Sequence, residues 1–431
     1  MAVKRSDSMG RLADGSHVVV LGGGPGGTAC AMALQRLSAL SSKRIHVTLL
    51  ESKQFVGERH FNACVGVLSP PLETLMEDDL GVPFPHHLDR ATINGYVLHT
   101  GRESLCLEDR SDPSYALRRV QLDAYMLQAA GERGVEIVHA RATEVEFHED
   151  GVVVYTDADP VEGDVVVGAF GLDEGSAGIF HRATGYQPPA SLSSVVTKIH
   201  PGDAKMAEIG GRVHVFLPPS REIEFGAITP KGNHLTINIA GSSVDSDNMQ
   251  EFLAWGPVRS VLGPEPVRPG QAGDLRFYKG RFPRSLARRD FGDRYVMVGD
   301  AAGLVRAFKG KGITSAVQTG IRAAHTLLEA GISSEAFGAH YRRANQDIID
   351  DLPYGQFMRW MTIWLSRTGL LNPVIRAADD TPRLREALFG AASGHLLYRK
   401  VLADSLAPGS LAAVLRAMLS PSQRASTHGD L

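Results

Sequence analysis

Residues 17–37, HVVVLGGGPGGTACAMALQRL, join a short apolar run to a helical pattern through a string of glycines. His17 to Leu21 reads as a buried strand, and Cys30, Ala33, Leu34 and Leu37 recur at helical spacing. Between them Gly22, Gly24 and Gly27 fit G-x-G-x-x-G. Glycine permits a tight turn and close backbone approach, while the helix N-terminus presents free N–H groups and a positive dipole end to a pyrophosphate. A second apolar run, Ile45 to Leu50, ends at Glu51, 24 residues past Gly27, where an acid can accept hydrogen bonds from a ribose diol. This βαβ unit predicts recognition of an ADP moiety and leaves NAD and FAD both open.

Residues 298–320, VGDAAGLVRAFKGKGITSAVQTG, separate the two. Asp300 follows an apolar strand, Tyr295 to Val298, and a helix is predicted from near Gly312, with Ile313, Ala316, Val317, Gly320, Ile321, Ala324 and Leu328 on one inward face. An acid at a strand end can accept from ribityl hydroxyls, which an NAD-only domain lacks. A positive helix N-terminus aimed at the pyrimidine edge of a flavin stabilises its reduced, negative form. The predicted cofactor is therefore FAD, held at its two ends by two glycine-rich loops.

Length and composition narrow the rest. A chain of 431 residues can bury substantial cores and predicts two or three domains. The formal net charge of −3 favours no polyanionic partner, so nucleic acid is not expected. Cys30, Cys64 and Cys106 match neither a disulfide framework nor a zinc site, which fits a reducing cytoplasm. No run reaches the ~18 apolar residues of a spanning helix, so a soluble or at most membrane-peripheral protein is expected.

Along the chain, the first 15 residues are expected to be frayed and residues 52–92 loop-like, followed by a strand near Tyr96 to Leu107. Gln121 to Gly131 reads as a helix, Val135 to Val138 as a strand, and Glu144 to Phe147 with Val152 to Tyr155 as a hairpin turning at Glu149, Asp150 and Gly151. Val165 to Ala169 is another short buried strand. From about 190 to 280 the pattern is strand-rich with one helix near 247–255, which predicts an antiparallel sheet. The remainder is helical to about 418, with a disordered tail.

The segments GGGPGG…E, YALRRVQLDAYMLQAAGERGVEI, VVVGAFG and YVMVGDAAGLVRAFKGKGITSAVQTGIRAA stand in the order found in group A flavoprotein oxidoreductases related to para-hydroxybenzoate hydroxylase. Within that superfamily, NACVGVLSPP resembles the C-x-G-x-x-S motif of geranylgeranyl reductases, and FGAITPKGNHLTINIAG resembles their substrate-domain segment. The resemblance implies an α/β fold: a Rossmann-like FAD-binding domain with an inserted antiparallel-sheet (α+β) substrate domain and a C-terminal helical region. Its boundaries would be FAD-binding 15–95, 116–189 and 284–345, substrate domain 96–115 and 190–283, and helical cap 346–420. It also implies site roles. Gly22, Gly24 and Gly27 would surround the pyrophosphate, Glu51 the adenosine ribose, Arg119 the phosphates or ribityl chain, and Ala142 the adenine through its backbone. Asp300 would hold the ribityl chain, the Gly312 and Ile313 amides would approach the isoalloxazine, and Cys64 would lie near flavin and substrate as a proton donor or a pocket-shaping group.

The implied activity is reduction of a carbon–carbon double bond in an apolar prenyl- or polyene-like substrate by hydride from flavin N5, with NAD(P)H or reduced ferredoxin as electron donor. The alternatives are a flavin monooxygenase, of hydroxylase or halogenase type, and a non-catalytic flavin-binding protein. Three departures bear on this. The superfamily's G-A-D-G is GAFG, with Phe170 in place of the acid and Asp173 or Glu174 as candidate replacements. Tyr-x-Trp-x-Phe-Pro is Phe225, Ala227, Thr229, Pro230, so Phe225 is the retained substrate-lining aromatic. Lys311, between Gly310 and Gly312, is either a solvated surface cation or a group reaching the flavin or an anionic substrate. His86 and His87 are expected to be exposed loop residues. Phe357, Trp360 and Trp364, at i, i+3 and i+7, are expected to be core, with a channel lid or a membrane-contacting face as the other readings.

Overall fold

A computed structural model describes residues 9–55, 64–108, 112–263, 275–306 and 311–419. Its first layer is a six-stranded sheet in the order Phe291–Gly292, Tyr295–Met297, Val165–Gly168, His17–Leu21, His46–Leu50, Glu136–Val138. All neighbours are parallel except the first pair. Val18, Val19, Val20 and Val165 to Val167 are wholly buried, as a parallel sheet covered on both faces requires. The Glu144 and Val152 runs do form a hairpin, within strands Ala142–Phe147 and Val152–Thr156.

The helices Pro25–Leu40 and Gly312–Glu329 cross at close range. A Cβ on Gly320 would lie 2.3 Å from the Gly26 carbonyl oxygen, so only glycine permits this approach. The crossing sets the N-termini of both predicted anchor helices against one cavity.

A seven-stranded sheet forms the second layer, in the order Tyr278–Pro283, Ser191–Ile199, His234–Gly241, Phe225–Lys231, Arg212–Phe216, Gly95–His99, Ser104–Glu108. It is antiparallel apart from the Arg212–Phe216 and Gly95–His99 pair. One face packs on Val195, Ile228, Ile237, Ile239 and Phe252, and the other turns toward the cavity. Helices from Gln346 to Leu419 close that side. They are tied down by Arg359, whose guanidinium donates to both carboxylate oxygens of the buried Glu224.

Several local expectations are revised. Residues 9–15 are not all frayed, because Leu12 is buried and its N–H donates to the Leu327 carbonyl. The single strand expected from Tyr96 to Leu107 is a hairpin of two strands, since Gly101 and Arg102 turn the chain. The 52–92 region contains strands Val67–Leu68 and Asp89–Ile93 and a helical stretch from Leu72 to Asp79. The middle block has two further short helices, Asp203–Ile209 and Gly256–Leu262, besides Ser246–Ala254. The tail from 420 lies outside the described residues.

Candidate FAD and substrate cavity

One cavity of about 900 Å³ runs from the first glycine loop to the C-terminal helices. Its dinucleotide end is lined by Gly22, Gly24, Gly26, Glu51 and Arg119, and its middle by Cys64, Gly66, Asp300, Lys311, Gly312 and Ile313. Gly27 does not face the space. A Cβ there would sit 1.9 Å from the Gly22 carbonyl oxygen, so Gly27 lets the helix pack tightly on the strand end. Gly22 itself has φ +115° and passes so close to Ala169 that a side chain would meet its carbonyl at 2.5 Å.

Glu51 is held rigidly. One carboxylate oxygen accepts from the Gly23 N–H at 2.8 Å and the other from the Lys53 N–H at 2.7 Å, leaving lone pairs toward the cavity. The Arg119 guanidinium donates to Asp123 at 2.6 Å and lies beside Gly24. The Asp300 carboxylate, at the other end of this stretch, has no hydrogen-bond partner among the described residues. Burial raises its pKa to about 6, with Arg119 pulling it back down. An acid with unfilled lone pairs, beside the start of the Gly312–Glu329 helix, fits the hydroxyls of a polyol chain. Together with the close-packed glycine turn and Glu51, these residues fit FAD at both ends.

Ala142 lies away from this space, opening its strand and packed against the core. Phe170 lines the cavity and stacks on Phe180, so the missing acid is replaced by an apolar wall. Neither candidate replacement is uncommitted. Asp173 caps the Glu174–Thr184 helix through the Ser176 N–H, and Glu174 pairs with Arg281 at 2.5 Å. Lys311 is not a solvated surface group. Its ammonium donates to the Pro70 carbonyl at 3.0 Å and its stem packs against Gly394, while burial and then Arg306 lower its pKa to about 8. The Cys64 thiol accepts from the Gly66 N–H at 3.3 Å. Arg119 and Lys231 are its cationic neighbours.

The far end of the cavity is apolar. Tyr96, Leu98, Val213, Val215, Phe225 and Phe282 line it from the sheet, and Met358, Leu365, Leu384, Leu388, Val401 and Val414 from the helices. The helical half of this wall was not legible as a site, because cavity-facing and core-facing leucines give the same period. Asn238 was also missed, although its alternation in LTINIAG, opposite to Leu235, Ile237 and Ile239, marks it as facing away from the core. Phe357, Trp360 and Trp364 are not core: they are 46%, 60% and 48% exposed, while Met361 and Leu365 beside them turn into the cavity. His86 bridges Glu73 and Asp89 at the surface, and no group of metal-ligating residues occurs among the described residues.

No protein-family profile matches the chain. It is 24% identical over 335 residues, 73% of this chain and 66% of the other, to the chloroplastic geranylgeranyl diphosphate reductase of Nicotiana tabacum. It is 22% identical over 369 residues, 77% of this chain and 86% of the other, to digeranylgeranylglycerophospholipid reductase 2 of Methanosphaera stadtmanae. The solved structure of a geranylgeranyl bacteriochlorophyll reductase-like protein from Thermoplasma acidophilum superposes with TM-score 0.67 at 16% identity, over 95% of this chain and 97% of that one. Fold and relatives together give the class, an FAD-dependent oxidoreductase. Within that class the chain resembles the geranylgeranyl reductases it matches.

Proposed function

We propose that the protein reduces a carbon–carbon double bond in an apolar, prenyl- or polyene-like substrate. The observation that carries this reading is the continuity of the cavity of about 900 Å³, which joins the space around Glu51 and Asp300 to a mostly apolar section under the C-terminal helices. Bound FAD would supply a hydride at its ring nitrogen. The chain's own tasks are to hold the alkene against the middle of the cavity and to keep water out, which Leu384, Leu388 and Val414 do from the cap side. Cys64 lines that middle section and can deliver a proton or shape the space, and Lys311 offers a cation there to an anionic group. The domain division 15–95, 116–189 and 284–345 for cofactor, 96–115 and 190–283 for substrate, and 346–420 for the cap is part of the same reading.

The substrate's way in favours contact with a bilayer surface. Exposed Phe357, Trp360 and Trp364 lie on the helix whose other face lines the cavity, and exposed Leu411, Leu415 and Met418 lie on the Pro408–Leu419 helix, which also lines it through Leu411 and Val414. Among the described residues no single helix is long and apolar enough to cross a membrane.

The test is anaerobic. The bound flavin is reduced with NADPH, NADH, reduced ferredoxin or dithionite, then reoxidised with geranylgeranyl, polyene and aromatic acceptors while absorbance and product mass are followed. The expected product gains two mass units, and Cys64→Ser, run alongside, slows reoxidation if the thiol donates the proton. Reoxidation only by oxygen, with a hydroxylated or halogenated product, makes the protein a monooxygenase or halogenase. A bound flavin that none of the donors reduces makes it a non-catalytic binder.

A further inference from the structure

The cavity-facing side of the seven-stranded sheet is not uniformly apolar. Residues paired directly across an antiparallel sheet share a face. Ala227 pairs with Asn238 and Thr229 with Thr236, while Ser194 pairs with Ala240 two residues away on the same face. Ser194, Asn238 and Thr229 all line the cavity. They are 8%, 8% and 1% exposed, yet none has a side-chain hydrogen-bond partner among the described residues. Thr236, 1% exposed, is likewise unpartnered.

Buried polar groups are normally satisfied, and leaving one unsatisfied costs folding free energy. Four on one strip of sheet, three of them facing a cavity, are the signature of a ligand contact rather than of packing. The strip exists because positions 227 and 229 carry small residues, Ala and Thr, which leave room over Asn238.

The basic side chains near the end of the strip have no carboxylate among the groups that perturb Lys231. Two residues beyond Thr229 on the same face is Lys231, 5% exposed, whose ammonium lies 3.2 Å from where a Cβ on the cavity-lining Gly66 would be. The neighbours that perturb Lys231 besides Cys64 are Lys198 and Arg118, both cationic, and no carboxylate is among them. Hydroxyls and an amide that can donate, next to a buried ammonium and no acid, select an oxygen anion.

We propose that Ser194, Asn238 and Thr229 form a head-group subsite that takes an oxygen anion, in the simplest case a carboxylate, of an otherwise apolar substrate, with Lys231 supplying the charge behind it. This rests on the reading that the cavity holds an apolar substrate. It makes that substrate amphipathic: the oxygen head lies over the sheet toward the Cys64–Gly66 turn, and the hydrocarbon runs toward the helices. Lys231 acts through the wall formed by Gly66, so it is a positioning residue.

The experiment titrates the protein with dodecanoate, dodecyl phosphate, dodecanol and dodecylamine, read by calorimetry and by the shift in Tm. Dodecanoate is expected to bind at least tenfold tighter than dodecylamine. The isosteric Thr229→Val should leave the unliganded Tm unchanged or raised and weaken dodecanoate about tenfold, and Asn238→Leu should add to that loss. Lys231→Met should remove the preference for anion over amine while dodecanol binding stays within twofold. Tighter binding of the phosphate than of the carboxylate keeps the subsite and identifies the larger anion as its head. The inference is overturned if Thr229→Val, which preserves shape, binds dodecanoate like the wild type, or if the four probes bind equally. The titration works on the yellow and the colourless protein alike. A preparation that never takes up FAD therefore counts against the cofactor reading, and one that holds FAD but ignores dodecanoate counts against the subsite.

Discussion

The two ends of the cavity are built by different physics. At the dinucleotide end the wall is backbone: glycines whose carbonyls and amides come within a side chain's radius of one another, with Glu51 locked by two N–H donors. At the substrate end the wall is side chains from a sheet and from helices distant in sequence, mostly apolar with a polar strip on the sheet. Backbone chemistry tolerates few residue types, so the first end is written in glycines and acids. Any well-packed set of apolar residues makes the second, so its wall can be rebuilt for another substrate without disturbing the first.

The sharpest way to break this contrast is Gly27→Ala. The new methyl meets the Gly22 carbonyl at 1.9 Å, and because that neighbour is backbone it can yield only by moving the strand or the helix. A loss of about 3 kcal/mol in unfolding free energy is expected, together with loss of FAD absorbance in the purified protein. A Gly27→Ala protein that keeps its stability and its flavin would show that the dinucleotide end is not close-packed.

A smaller effect should come from Asp300. Its folded pKa, raised to about 6 by burial, exceeds the unfolded value of 3.8, so in between the folded state holds the extra proton. Its contribution to stability is therefore full below about pH 4 and lost as pH rises through 6. Asp300→Asn is expected to match the wild-type apoprotein in denaturant titrations at pH 4 and exceed it at pH 7.5. Asp290, also raised to about 6 by burial, leaves a residual slope in the same window. The variant should bind FAD more weakly, by about 2 kcal/mol, because a charged acceptor for ribityl hydroxyls is gone. Equal stability profiles for the two proteins would remove the claim that Asp300 is a buried, unsatisfied carboxylate.

The smallest effect on folding concerns the cap. Trp360→Ser and Trp364→Ser should change stability by no more than about 0.5 kcal/mol, since both rings are about half exposed. The same variants should lower recovery with floated phosphatidylglycerol vesicles. Unchanged flotation, or no flotation of the wild type, would leave the exposed aromatics without a bilayer.

The βαβ unit, the strand end and helix start around Val298 and Gly312, and the antiparallel middle block could all be read from the chain because each has its own period or punctuation. Three things could not. The aromatic run at 357–364 carries a helical period that is identical for a core stripe and a surface stripe, and only the packing of Met358, Met361 and Leu365 shows which side is inward. Phe170 in place of an acid gave no hint that it would stack on Phe180, a contact between a strand end and the following helix. Asn238 and Thr229 looked like ordinary alternation until the cap made their open face into an enclosed one.

Taken alone, the amino-acid order determined which segments become strands and helices and where a phosphate-bearing nucleotide can be gripped, because those outcomes depend on neighbours within about thirty residues. The tertiary structure decided that both glycine-rich segments open on one cavity, that the helices from Gln346 to Leu419 roof it, and that a few polar side chains face it without side-chain partners among the described residues. These depend on elements hundreds of residues apart meeting at particular distances, as where Gly320 admits the Gly26 carbonyl, and no local pattern encodes a distance.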